Sequence, residues 1–141
     1  MNILLTGSNG FIGKNIHKKL QHENVFCLEK GFMDEKDWLV DLEKYVDDSD
    51  AILHVGAISD TMLKDPNEML KYNYVFSKHL FDLAEKHNKK VVYSSSAANK
   101  GQTGNPSNIY GWSKFITEQY GLAKVKNFYA LRYFNVYGPG E

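Results

Sequence analysis

Residues 2–13, NILLTGSNGFIG, decide how this chain begins to fold. The apolar run Ile3-Leu4-Leu5 predicts a short buried strand, and the three glycines that follow it predict a tight turn into a helix. Gly7 permits the sharp turn, Gly10 lets the backbone approach a pyrophosphate, and Gly13 allows the helix to lie close on the strand. The free N–H groups of the helix start attract phosphate. A lone glycine triplet is a weak signal, so the rest of the sequence has to support it.

Glu29 gives the first support. It follows a second predicted strand about twenty residues after the glycines, where a carboxylate can hold a ribose diol and repel a 2′-phosphate. The position therefore favours NAD as cofactor, and the neighbouring Lys30 keeps NADP open. As a solvated loop charge, Glu29 would need no function at all.

The second support is the run IYGWSK at residues 109–114. On a helix, Tyr110 and Lys114 lie one turn apart on the same face. A free tyrosine has a pKa of about 10, and a nearby cation lowers the pKa of the phenol, which makes the pair an acid/base device. The spacing alone is common by chance. Ser96, at the end of the run Ser94-Ser95-Ser96, can share a proton with Tyr110, although small polar residues also simply end strands.

The order of predicted elements points to an α/β protein. Strands are predicted near 2–6, 25–29, 51–56, 90–94 and 128–134, and helices near 11–22, 35–47, 67–88 and 109–124. This alternation predicts a doubly wound parallel sheet, the Rossmann fold, as a single domain over residues 1–141. Residues 32–34 are a possible further strand, too short to assign.

Composition narrows the partners. Seventeen basic and seventeen acidic side chains give a net charge of zero, so we expect neither a nucleic acid nor an anionic membrane as partner. No apolar run reaches membrane-spanning length. The single cysteine, Cys27, lies in an apolar run and predicts a small buried side chain in a cytoplasmic protein. The five histidines lack metal-ligand spacing, so no metal is expected.

The helix predicted at 67–88 has two apolar stripes. One contains Met69, Asn73, Phe76, Leu80 and Leu83, and the other contains Leu70, Tyr74, Ser77 and Phe81. The second stripe, with a similar excess on helix 109–124, predicts a homodimer through these two helices. Ordinary packing under a third layer is the alternative.

Four ordered motifs resemble the extended short-chain dehydrogenase/reductase family, which includes nucleotide-sugar epimerases and dehydratases. They are the TGSNGFIG turn, the Tyr110–Lys114 pair, the serines at 94–96 and RYFNVYGP at 132–139. Within the family, the segments at 54–61, 72–74, 95–98 and 132–135 are most similar to those of ADP-glycero-manno-heptose 6-epimerases.

The resemblance implies a role for each matching position. The cofactor would be bound by Gly7, Gly10, Phe11, Ile12, Gly13, Glu29, Ala57, Asn73, Lys114, Tyr133 and Phe134. Ser96 and Asn135 would bind substrate, with Ser96, Tyr110 and Lys114 as the catalytic residues. Asn73 would brace the site from its helix, and it interrupts an apolar stripe, which by itself indicates that its amide has partners. His54 would pack or orient locally.

The implied reaction is hydride removal from a sugar carbon to NAD, while Tyr110 takes the hydroxyl proton. Ala97-Ala98, where a dehydratase would need acidic residues, speak against dehydration. The family's VYG is replaced by Asn99-Lys100-Gly101, and the loop 99–108 is short. Because family members continue beyond Gly138-Pro139-Gly140-Glu141, we expect the C-terminal substrate domain, with the second acid/base lysine of heptose epimerases, to be absent here. A binding module without turnover and a simple carbonyl reductase remain alternatives.

Overall fold

A computed structural model describes residues 1–60, 65–101 and 103–141 of the chain. Thr61, in the segment that resembles heptose epimerases, and Gln102, in the short loop 99–108, lie outside the described residues. The strands and helices, in chain order, are β1 (Asn2–Thr6), α1 (Phe11–Lys19), β2 (Asn24–Leu28), α2 (Trp38–Asp48), β3 (Ala51–His54), α3 (Pro66–Leu70), α4 (Phe76–Lys86), β4 (Lys90–Ser96), α5 (Ile109–Lys124) and β5 (Phe128–Tyr133). A π-helical turn, Lys71–Val75, joins α3 to α4.

The five strands form one parallel sheet in the order β2-β1-β3-β4-β5. The chain moves from β1 to β2 in one direction and from β2 through β3 and β4 to β5 in the other. Right-handed crossovers therefore place α1 on one face of the sheet and α2, α4 and α5 on the opposite face. The predicted α/β doubly wound Rossmann arrangement is confirmed, and the order reverses beside β1, where such sheets bind ligands.

The main core lies between the sheet and the layer of α2 and α4. It contains residues of β1 and β3 such as Leu4 and Ile52, together with Leu42, Leu80 and Phe81 from the helices, all with no exposed surface. Complete burial of one such leucine stabilises the fold by about 2 kcal/mol. This layer fixes the strands whose carboxyl ends form the site.

Residues 30–34, where the sequence left a further strand open, form a 3₁₀ turn. Two sequence predictions need correction. The helix predicted at 67–88 does not keep one regular period, because the π-helical turn adds one residue to a helical turn and so rotates the following face. Cys27 is exposed and not buried, because β2 is an edge strand. The Cys27 sulfur lies at the surface, 3.8 Å from Nε2 of His17.

The π-helical turn also changes the dimer argument. Ser77 and Phe81 of the second stripe are fully buried within this chain, so they need no partner. The large apolar side chains still exposed on the two helical segments are Val75, Trp112 and Leu122. Within the described residues, no helix is long and apolar enough to cross a membrane.

Candidate functional site

A cavity of about 370 Å³ lies at the carboxyl ends of the strands, within the size range of small-molecule sites. It spans the point where the strand order reverses. Its lining contains most of the predicted site residues: Gly7, Gly10, Phe11, Ile12, Gly13, Glu29, Ala57, Tyr110, Lys114 and Tyr133. The sequence separates these residues by more than one hundred positions, and the parallel sheet brings them together.

Two glycines of the turn, Gly7 and Gly13, leave no room for larger side chains. Gly7 has φ +76°, and a Cβ there would lie 2.5 Å from the Gly56 Cα. A Cβ on Gly13 would lie 1.8 Å from the Gly7 carbonyl oxygen. At Gly10 the nearest atom would be 3.6 Å away, so the space beside it is free for a ligand. No side chain caps the α1 N-terminus, which leaves its N–H groups available to an anion.

Glu29 lies directly beside this turn. Its Oε1 accepts hydrogen bonds from the Ser8 hydroxyl and from the Asn9 N–H, the latter at 3.2 Å. The neighbouring Lys30 ammonium donates to Glu68 at 3.2 Å and lies 4.7 Å from the centre of the Tyr72 ring. The Lys30 ammonium next to Glu29 is thus paired with Glu68 at the surface.

A buried relay connects the loop after β3 to the core. Thr6 Oγ1 accepts the N–H groups of Val55 and Gly56, so its own hydrogen goes to His54 Nδ1, 2.7 Å away. His54 Nε2–H then donates to Ser77 Oγ at 2.6 Å. Burial, with the Lys114 charge as a smaller cause, lowers the pKa of His54 to about 3, so the ring is neutral. The prediction that His54 packs or orients locally agrees with its burial and these contacts.

Asn73 holds the same loop from the π-helical turn. Its side chain accepts the Ile58 N–H at 2.7 Å and donates to the Ile58 carbonyl at 2.9 Å and to Ser113 Oγ at 3.0 Å. Its own carbonyl accepts the hydroxyls of Ser77 and Thr117. Asn73 thus braces the loop after β3, and its amide does not line the cavity. The assignment of Asn73 to the cofactor-binding residues remains a prediction.

Tyr110 and Lys114 lie on α5, whose first turn is capped by the Asn108 side chain through a 2.7 Å bond from the Gly111 N–H. Lys114 is 3% exposed, donates to the Ser94 carbonyl, and lies 4.5 Å from the centre of the Tyr93 ring. Burial lowers the pKa of Lys114 to about 7. A cation that is poorly hydrated in this way interacts strongly with any anion placed beside it.

Other predicted residues lie outside the lining. Ser96 Oγ accepts the Ala98 N–H at 3.1 Å and so caps the 3₁₀ turn Ala97–Asn99. Phe134, 83% exposed, and Asn135 lie beyond β5 and do not line the cavity either. Their roles remain predictions.

The cavity also contains residues that sequence reasoning missed. Ser94 and Ser95, not Ser96, line it from β4, and Met33 and Tyr72 line its other side. The serine triplet was a usable signal for the first two. Met33 had none, because its segment had no recognisable period. Within the described part of the chain, no three His, Cys, Asp or Glu side chains form a group that could hold a metal ion.

Comparison with known proteins gives consistent results. The model of the NAD dependent epimerase/dehydratase family matches residues 3–141. ADP-L-glycero-D-manno-heptose-6-epimerase of Cupriavidus pinatubonensis is 32% identical over 174 residues, which covers 100% of this chain and 53% of that protein. The crystal structure of the Helicobacter pylori protein of the same name has a TM-score of 0.84 at 30% identity, covering 98% of this chain and 56% of the other.

A third neighbour shows the fold alone. UDP-glucuronic acid 4-epimerase from Bacillus cereus, solved in complex with NAD, has a TM-score of 0.82 at 22% identity and covers 100% of this chain and 59% of its own. The chain thus spans about half the length of the curated relatives it matches.

Proposed function

The chain belongs to the NAD dependent epimerase/dehydratase family, and on that premise we propose that its cavity binds NAD and that Tyr110 and Lys114 carry the proton transfer of a hydride-transfer reaction on a nucleotide sugar. One observation carries the proposal. The glycine turn after β1, Glu29 after β2 and the Tyr110–Lys114 pair on α5 line the same cavity. The parts of a cofactor site and of an acid/base pair are therefore adjacent.

The residues present fit a dinucleotide. Gly10 leaves open space beside the uncapped N-terminus of α1, where a pyrophosphate has both room and hydrogen-bond donors. Glu29 is the acceptor for a ribose diol. The Lys30 ammonium is bound to Glu68 and does not neutralise Glu29, which favours NAD over NADP. NADP would have to place its phosphate against this carboxylate.

When bound, NAD supplies the acceptor for the hydride of the sugar carbon. Tyr110, as phenolate, takes the proton of the adjacent hydroxyl, so that one C–H and one O–H bond break and a C=O bond forms. Lys114 would hold the nicotinamide ribose, and its ammonium would stabilise the negative charge that Tyr110 needs in order to accept the proton. For an epimerisation, Tyr110 would return the proton to the oxygen when the hydride is given back to the opposite face of the carbonyl carbon.

The substrate class follows from the relatives. Two curated relatives at 32% identity are named ADP-L-glycero-D-manno-heptose-6-epimerase, so an ADP-linked sugar is the first candidate. Ser96 and Asn135 are the substrate-contacting residues of this proposal. Because the chain covers about half of these relatives, a cofactor-binding module without turnover is the second candidate function.

The proposal is tested by calorimetric titration of the 141-residue chain with NAD and NADP, with and without ADP-sugars. We expect micromolar binding of NAD, weaker binding of NADP, and tighter NAD binding in the presence of an ADP-sugar. Tyr110→Phe should retain NAD affinity and abolish turnover. Tyr129→Phe, an exposed tyrosine on β5, is the matched control and should change neither.

Each outcome separates the alternatives. NAD binding without any effect of sugar or any turnover would identify a binding module. Steady oxidation of NADH by small carbonyl compounds would identify a reductase. Failure of the chain to bind either cofactor would refute the proposal.

A further inference from the structure

Glu118 is a buried carboxylate directly below the proposed acid/base pair. It lies on α5 four residues after Lys114 and eight after Tyr110, so the three side chains share one side of the helix. Its side chain is only 1% exposed. A carboxylate buried to this degree is costly unless its oxygens are paired. None of the roles assigned above uses it.

Arg132 of β5 pairs with both oxygens of this carboxylate. Arg132 Nε lies 3.0 Å from Oε1 and Nη2 lies 2.6 Å from Oε2, a two-bond fork that fixes orientation as well as charge. Asn99 Nδ2 adds a third bond, 3.3 Å from Oε1. Bonds to Arg132 keep the pKa of Glu118 below its ordinary value against the effect of burial, so the group is ionised.

The charges of the pair are not equally buried. The Arg132 side chain is 38% exposed, so water solvates its charge, while Glu118, one helical turn after Lys114 on α5, is almost fully enclosed. The result is a negative charge that acts on Lys114 across one helical turn, where it raises the pKa that burial lowers. Through its bonds to Arg132 and Asn99, Glu118 connects α5 to β5 and to the 3₁₀ turn Ala97–Asn99.

Glu118 is the group whose negative charge raises the pKa of Lys114, and the titratable groups on the elements packed around Lys114 act differently. From β3, His54 is buried and neutral. From β4, Tyr93 is kept neutral because burial raises its pKa. On α5, Tyr110 is the proposed proton acceptor, and from β5 the charge of Arg132 is positive and bound to Glu118.

We propose that Glu118, held by Arg132, is the positioning residue of Lys114: it fixes α5 against the carboxyl ends of β4 and β5 and supplies the negative charge that faces the buried ammonium. The inference rests on the proposed function, because an ammonium at this place matters only if the cavity holds a dinucleotide and an acidic hydroxyl. Glu118 does not line the cavity and acts only through Lys114.

The test measures Lys114 directly in the ligand-free chain. Protein labelled with ¹³C-lysine is titrated from pH 5 to 10 by NMR, and the ε-carbon signal of Lys114 is assigned by its absence in Lys114→Arg. Glu118→Gln should move the Lys114 midpoint down by about one pH unit, a tenfold loss of proton affinity. Glu43→Gln is the matched control, because Glu43 pairs with Lys86 and His87 at the surface, and it should leave the midpoint unchanged.

Glu118→Asp provides a second variant if Glu118→Gln does not fold. It keeps the charge but withdraws it by one methylene, so a smaller downward movement is expected. A lower melting temperature with an unchanged Lys114 midpoint, in whichever variant folds, would reduce Glu118 to a structural ion pair and overturn the inference.

NAD titrations of the same variants keep the two proposals separate. Loss of affinity in Glu118→Gln should grow as pH rises through the Lys114 midpoint, and a loss that is equal at every pH would contradict the inference. If the wild-type chain binds no NAD at any pH, the proposed function fails, while the NMR midpoint still decides whether Glu118 controls Lys114.

Discussion

Replacement of Lys114 by methionine should remove a specific pH dependence of stability. Lys114 is 3% exposed, and burial lowers its pKa to about 7 from an ordinary value of 10.5. The unfolded chain therefore binds this proton more tightly than the folded chain does. The stability contributed by the group is complete above the unfolded pKa and is lost as pH falls through the folded pKa.

The magnitude follows from the two pKa values. Each pKa unit corresponds to about 1.4 kcal/mol, so wild-type protein should gain about 3 kcal/mol in free energy of unfolding from this group between pH 6 and pH 9. Lys114→Met cannot take up the proton and should lack that gain. Lys114→Met also loses the hydrogen bond to the Ser94 carbonyl, which lowers its stability at every pH. The informative quantity is therefore how the difference in unfolding free energy between wild type and Lys114→Met changes with pH.

Urea denaturation followed by circular dichroism at four pH values from 6 to 9 measures this difference. Lys124→Met is the control, because Lys124 lies on the same helix with its side chain 46% exposed, and its difference from wild type should stay constant with pH. A Lys114→Met difference that does not vary by more than about 0.5 kcal/mol from pH 6 to 9 would refute the conclusion that the ammonium is desolvated.

Three further perturbations test the turn, the relay and the assembly. Gly13→Ala should destabilise the chain by about 3 kcal/mol, because the added Cβ would overlap the Gly7 carbonyl. Gly31→Ala is the control, with open space around it, and should change the stability by no more than about 0.5 kcal/mol. Equal melting temperatures for the two variants would contradict the close contact between α1 and the turn. Burial lowers the pKa of His54 to about 3, so the ring contributes stability above its unfolded pKa of 6.5 that is lost as pH falls. His54→Gln should therefore reduce the loss of unfolding free energy between pH 7 and 4.5 by about 2.5 kcal/mol, as measured by denaturation at each pH. If the variant loses as much stability as wild type over this range, the ring is accessible to protons. Trp112, 47% exposed on α5, should lie in the interface of the predicted homodimer. Light scattering should then show a dimer for wild type and a monomer for Trp112→Glu. A monomeric wild-type chain would refute the predicted homodimer.

Local sequence features predicted most of the fold. The predicted ends of the five strands and of the helix at 109 lie within two residues of the observed ends, and α1 begins where predicted but ends three residues earlier. Burial period and glycine spacing are properties of short segments, so the sequence alone shows them. The π-helical turn left no signal in the sequence pattern; its Asn73 is hydrogen-bonded to Ile58 and Ser113, which come from distant parts of the chain. The prediction that Cys27 is buried was wrong because no sequence pattern shows which strand lies at the edge of a sheet.

By itself, the sequence determined the phosphate-binding turn and the Tyr110–Lys114 pair, because both are set by spacing within one strand–turn–helix or one helix. Only the tertiary structure decided their environment. The fork between Arg132 and Glu118, the pairing of Lys30 with Glu68 and the burial that moves the pKa of Lys114 all depend on contacts between separate elements. Desolvation and charge are set by everything that surrounds a group in space, and that information is distributed over the whole chain and not over any single motif.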